Sequence, residues 1–113
     1  MIKPHEVLKG LSDPTRLRIV ALLSERELCV CDLMAVLQLP QSTVSRHMIR
    51  LKSAGWVLDR RDGKWVHYRL TPSPLVEDLR QLLKHHLTGM EQFKKDAASL
   101  ARYSRTKLCA TAK

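Results

Sequence analysis

Apolar side chains recur along this chain at two different spacings, and the spacing changes just after Gly55. Before that point the spacing is helical. Leu17, Val20 and Ala21, with Ile19, Leu22 and Leu23 beside them, give the segment after Pro14 a wide apolar face. Ser12-Asp13-Pro14 is the start signal of that helix: a Ser or Asp cap, then a proline in the first turn, where its missing N–H costs nothing. A shorter helix from Pro4 to about Lys9 precedes it and is stopped by Gly10. Leu28, Val30, Leu33, Ala35, Val36 and Leu37 predict a further short helix over Leu28–Leu37. Leu39-Pro40-Gln41-Ser42 breaks that pattern and caps another helix, in which Val44, Met48 and Leu51 form one buried face and Gly55 is the stop. Two helices joined by a tight turn predict a helix-turn-helix.

Beyond Gly55 the period falls to two. Val57-Leu58-Asp59-Arg60-Arg61 and Lys64-Trp65-Val66-His67-Tyr68-Arg69-Leu70 flank Asp62-Gly63, a hairpin signal. The fold class is therefore mainly α with a small β-hairpin: a winged helix-turn-helix of about five helices and a two-stranded wing. Thr71-Pro72-Ser73-Pro74 closes the wing and opens the last helix. There Leu79, Leu83, His86, Met90, Phe93, Ala97 and Leu100 alternate in steps of four and three, a heptad seam that Gly89 interrupts. At 113 residues the chain fits one domain with a modest core. So long a stripe then predicts a homodimer contact, carried by Leu79, Leu83, His86, Met90 and Phe93. Residues 1–104 are read as this domain, and residues 105–113 as a flexible basic tail holding Cys109.

Charge narrows the partner. Lys and Arg number 20 against 11 Asp and Glu, a net charge of +9, which favours a polyanion. No apolar run approaches the ~18 residues that span a bilayer, and Met1–Glu6 lacks the apolar core of a signal peptide. A cytoplasmic protein with reduced thiols follows as the expectation. With Val44, Met48 and Leu51 inward, Gln41, Ser42, Thr43, Ser45, Arg46, Ile49 and Arg50 lie on or near the open face of the Gln41–Gly55 helix. Gln41 suits adenine and Arg46 suits guanine. The small residues let the backbone approach phosphates, and Arg50 points to the DNA backbone. On the wing, Arg60, Arg61, Lys64 and His67 are candidates for phosphate or minor groove. There is no nucleotide loop, no HExxH and no serine elbow, so an enzyme is not expected.

Glu27-Leu28-Cys29-Val30-Cys31-Asp32-Leu33 carries a second kind of chemistry. Two thiols at a helix start favour thiolate through the helix dipole. At i and i+2 of a regular helix they point about 200° apart. Both sulfurs reach one ion only if this turn is irregular or unwinds. Two thiolates do not complete a tetrahedral zinc site; they suit a soft ion of low coordination such as trivalent arsenic or antimony. Binding is then expected to draw the cysteines together, distort their helix and shift Gln41–Gly55. A redox-responsive repressor uses the same residues differently. A thiol oxidoreductase would need CxxC geometry beside a parallel sheet, and a constitutive architectural DNA binder would leave the cysteines structural.

Four runs resemble the ArsR/SmtB family of metal-responsive repressors, in its arsenical-resistance branch. They are Leu11-Ser12-Asp13-Pro14-Thr15-Arg16, the ELCVCDL run from Glu27 to Leu33, Gln41-Ser42-Thr43-Val44-Ser45-Arg46-His47, and Gly63-Lys64-Trp65-Val66-His67-Tyr68-Arg69-Leu70. The resemblance implies a homodimer on double-stranded operator DNA that lets go when arsenite or antimonite binds the cysteines, with no organic cofactor and no protein substrate. The best-known arsenic sensors have a third cysteine three positions after the second. Here that position is Met34, a poor ligand for trivalent arsenic. The third bond is left to Cys109, a cellular thiol or water. Cadmium- and lead-sensing relatives add cysteines from an N-terminal extension, and no Cys precedes Cys29. Asp78, Arg80, His85 and His86 do not reproduce the zinc-site spacing of the last helix.

Overall fold

Asp13 caps as its position predicts: its carboxylate accepts the Arg16 N–H at 3.0 Å, and Pro14 opens the helix it caps. In this computed structural model the structure describes residues 3–106. In chain order they form α1 (Pro4–Gly10), α2 (Pro14–Leu23), β1 (Leu28–Cys29), α3 (Val30–Leu37), α4 (Gln41–Ala54), β2 (Val57–Asp62), β3 (Trp65–Leu70), α5 (Pro74–Leu87) and α6 (Glu91–Thr106). The α3–α4 pair is the helix-turn-helix, and β2–β3 is the wing.

The buried face of α4 is the predicted one: Val44, Met48 and Leu51 are fully buried. They meet Ile19, Val20, Leu33 and Trp56 in one apolar cluster. Trp56 was not singled out by periodicity, yet it is 0% exposed. Its indole N–H donates to the Val7 carbonyl at 2.7 Å, so α1 is tied to the chain just past α4. Gly10 allows that approach. A Cβ there would sit 2.8 Å from the Ala54 Cβ and 3.2 Å from the Trp56 ring.

Three elements differ from expectation. Leu28 and Cys29 are extended, not helical, with Cys29 at φ −92° and ψ 171°. They pair antiparallel with β3, Leu28 opposite Tyr68 and Cys29 opposite His67. Backbone hydrogen bonds to a neighbouring strand outweigh the helical spacing of Leu28 and Val30. The sheet accordingly has three strands in the order β1-β3-β2. The wing turn also lies one residue further on. Asp62 pairs with Trp65, leaving Gly63 and Lys64 at the tip. Gly63 has φ +64° while Lys64 is not left-handed, the sign pattern of a II′ turn with glycine first.

The third difference is the last helix. It stops at Leu87 and restarts at Glu91. The Thr88 hydroxyl donates to the Lys84 carbonyl, and the Met90 N–H closes a turn on Leu87 at 2.9 Å. The heptad stripe is thus divided. Leu100 is buried in the protomer's own core. Asp96, 4% exposed, takes both ends of the Arg18 guanidinium at 2.8 and 2.9 Å and holds α6 against α2.

Gly10→Ala is expected to destabilise by about 1–3 kcal/mol through overpacking. Gly89→Ala, with nothing within 4 Å of its Cβ, is expected to cost little. Urea denaturation of both variants checks the pair. Equal stabilities would show that α1 does not press on Trp56 as described.

Candidate nucleic-acid interface and cysteine site

On α4 the exposed residues are Gln41, Ser42, Arg46, Ile49, Arg50, Lys52 and Ser53, while Thr43 and Ser45 are half-buried. Ile49 is 67% exposed, an apolar side chain on a face otherwise suited to base edges. Arg61 and Lys64 are exposed on the wing. Arg60 is exposed but committed: both Glu27 oxygens hold its guanidinium, at 2.7 and 3.2 Å. That partner holds the Glu27 carboxyl below its ordinary range. His67 does not face outward with these residues. It is 4% exposed, because its place opposite Cys29 turns its ring inward.

The cysteines adopt the irregular turn that their spacing requires. Cys29 is the residue before α3, in β conformation, and Cys31 lies in the first turn. Their sulfurs are 3.4 Å apart. No unwinding of α3 is needed to bring both to one ion, so the expected drawing-together is already built in. The Asp32 carboxylate accepts the Cys29 N–H at 2.9 Å and fixes the turn. Cys29 is a free thiol, and Cys31 is disulfide-bonded. Cys109, the third sulfur considered, lies outside the described residues.

The thiolate expectation for Cys29 is overturned. Burial, joined by the neighbouring Asp32 carboxylate, pushes its thiol up to about 11. The side chain is 1% exposed, and a buried charge costs more than the helix terminus returns. Among the described residues no three His, Cys, Asp or Glu side chains gather closely enough to hold a metal ion.

A cavity of about 270 Å³ opens beside the two sulfurs. Its walls are Cys29, Val30, Cys31, Met34, Gln41, Lys64, Trp65 and Val66. Gln41 is the first residue of α4, and Lys64 is at the wing tip. Two residues that the sequence leads one to expect at DNA therefore also border the cysteine site. Met34 and Trp65 complete it. Helical spacing from Cys31 gives a signal for Met34, three residues on, but nothing in the chain order places Trp65 there.

Comparison with known proteins supplies the family. Residues 13–57 match the family described as bacterial regulatory protein, arsR family. An arsenic resistance transcriptional regulator of Pseudomonas putida is 44% identical over 87% of this chain and 85% of its own length. The arsenical resistance operon repressor of Escherichia coli is 56% identical over 61% of this chain and 60% of its own length. Among solved structures, the homodimeric winged helix-turn-helix DNA-binding domain of a possible ArsR-family regulator from Mycobacterium bovis superposes with a TM-score of 0.64. It is 31% identical and covers 74% of this chain and 83% of that one.

The raised Cys29 thiol gives a pH prediction. With Cys31 and Cys109 replaced by serine, alkylation of Cys29 by iodoacetamide should be slow at neutral pH and still accelerating above pH ~9, the ordinary thiol range. A rate that levels off near pH 8 would contradict burial of a neutral thiol. The exposed α4 face, the outward wing and the similarity to these regulators together make this chain a winged helix-turn-helix transcriptional regulator that belongs to the arsR family.

Proposed function

We propose that this chain is an arsenite- or antimonite-responsive repressor in the cytoplasm, which binds operator DNA as a homodimer and releases it when trivalent metalloid binds Cys29 and Cys31. The observation that carries this reading is the shared boundary: the paired sulfurs sit in the same cavity as Gln41 and Lys64. An ion held by the sulfurs presses on the start of the reading helix and on the wing tip together. To switch the protein it must favour the unbound form by ~1–3 kcal/mol or more. The relatives named for arsenic resistance support the choice of ion.

On DNA, Gln41 and Arg46 read bases in the major groove, with Ser42, Thr43, Ser45 and Arg50 against the backbone. Arg61 and Lys64 hold phosphate from the wing, while Arg60 mainly anchors the wing base to Glu27. The second copy covers the outer side of α5. His86 and Leu82 are exposed there, Met90 is exposed in the turn that follows, and Leu79 and Leu83 are half-buried against the core. Phe93 faces a separate cavity between α2, α5 and α6 and contributes from beneath. Cys109 is the proposed third sulfur for inorganic arsenite.

A redox-responsive repressor of the same fold is the second reading, favoured by the disulfide at Cys31. There the reduced protein ignores arsenite, and peroxide releases the DNA.

In protein kept reduced by a phosphine, arsenite should release operator DNA from the wild type. Cys29→Ser and Cys31→Ser should each raise the arsenite needed by about tenfold or more, with operator affinity in its absence little changed. Normal release from both variants would sink the proposal. Arg46→Ala should cost ~1–3 kcal/mol of operator binding and relax specificity at one base pair. Arg61→Ala should weaken all sequences alike and lower the salt slope by about one.

A further inference from the structure

We propose that the cleft where the end of α1, the start of α2 and the second half of α4 meet is a phosphate site, filled on the operator by a phosphodiester of the DNA backbone. The proposal rests on the reading of α4 as the DNA-facing helix and extends the contact to two helices outside the helix-turn-helix. The cleft holds about 230 Å³, and Lys9, Gly10, Ser12, Arg16, Arg50 and Ser53 border it, with Glu6 and Ala54.

Arg16 carries the argument. It is a charged side chain only 9% exposed, yet among the described residues it stands in no ion pair. Its Nε–H donates to the Gly10 carbonyl at 2.6 Å, a neutral acceptor. A guanidinium has five N–H donors, and that carbonyl takes one. A charge withdrawn this far from water is costly until an anion joins it. The Gly10 bond also holds the guanidinium against the end of α1, so the fork is set before a ligand arrives.

The surrounding charges favour the same ligand. Lys9 and Arg50 are exposed and border the same cleft. Two carboxylates stand against these three cations. Glu6 lies 3.6 Å from His5, and Asp13 is engaged by the Arg16 backbone N–H. His47 registers the balance. It is 3.9 Å from the Asp13 carboxylate, yet it is held below its ordinary range, by burial first and then, against the pull of Asp13, by the charges of Arg16, Arg46 and Arg50. The Ser12 hydroxyl is spent on the Lys9 carbonyl at 2.7 Å, whereas the exposed Ser53 offers a further donor. A planar fork, a point charge and a hydroxyl around one space suit an oxyanion with oxygens on several sides.

Position selects the source of that phosphate. Arg50 and Ser53 follow Arg46 by four and seven residues, so the three share one face of α4. The cleft therefore continues the proposed reading face, beyond the N-terminal end that would meet bases. A phosphate held there by Lys9, Arg16 and Arg50 bridges α1, α2 and α4 and fixes the angle at which α4 enters its groove.

The test replaces the phosphates of an operator selected with the wild type, one at a time, by neutral methylphosphonate, and measures the affinity of the full-length protein for each duplex. At least one position outside the base-contacting stretch should cost the wild type about tenfold. In Arg16→Gln that cost should shrink to within about twofold, and in Lys9→Gln it should fall by about threefold or more. Arg61→Ala, which removes a wing contact, should still show the full cost. If Arg16→Gln does not fold, Lys9→Gln, a change at an exposed residue, decides alone. A cost at that position that is the same in the wild type and in the folded cleft variants overturns the proposal, because a merely structural Arg16 would weaken all duplexes alike. Inorganic phosphate, titrated into the DNA-free protein at ionic strength matched with chloride and followed by NMR of the arginine side chains, distinguishes the other source. Saturable shifts together with a silent scan put a free phosphate in the cleft and overturn the operator assignment. A silent scan without such shifts overturns the site. Failure of the wild type to select any duplex overturns the DNA reading on which the proposal rests.

Discussion

Two residue pairs, Leu28 with Tyr68 and Cys29 with His67, join the cysteine segment to the middle strand of the wing. Most of what is specific to this molecule follows from that short ladder. It pulls Cys29 out of the helix that follows, so its sulfur meets that of Cys31 instead of pointing away. It turns His67 into the interior. It brings Trp65 and Val66 alongside the cysteines as the far wall of a cavity. A sensor built within a single helix would have to deform that helix to report. In the proposed switch Cys29 is itself part of a strand of the sheet that ends in the wing tip, and the backbone hydrogen bonds between β1 and β3 would carry displacement from one to the other.

The frame around this device is held by a few long-range ties. The Trp56 indole fastens α1 to the end of α4. The Arg18–Asp96 pair fastens α6 to α2, and it is largely desolvated on the Asp96 side. Removing either partner would leave a poorly hydrated charge, which costs far more than the intact pair contributes.

Elements dominated by their own side-chain period were legible in the chain. Val44, Met48 and Leu51 marked the buried side of α4, Asp13-Pro14 marked the start of α2, and alternation from Trp65 to Leu70 marked β3. Legibility failed where a distant partner decided. A two-residue strand has too few positions to show a period, so Leu28 and Cys29 read as the start of a helix. His67 sits on an alternating strand with the look of an outward residue; only the arrival of β1 on its other side buries it. The seam from Leu79 to Leu100 is regular in sequence, but the local bonds of Thr88 and Met90 break it, and Asp96 finds Arg18 across 78 positions. At the cysteine site, the cysteine pair was visible and the raised thiol of Cys29 was not, because burial is a property of the fold. Trp65 was missed as a wall for the same reason.

The strand order leaves β2 as an outer edge of the sheet. An uncovered edge offers backbone donors and acceptors to any extended chain it meets. Along β2 the exposed run is Leu58-Asp59-Arg60-Arg61-Asp62, with charges of both signs. A strand approaching from another molecule would have to bury several of these side chains against its own. The charged side chains of β2, Arg61 of the proposed phosphate contact among them, therefore also guard the protein against growing into a shared sheet with its neighbours.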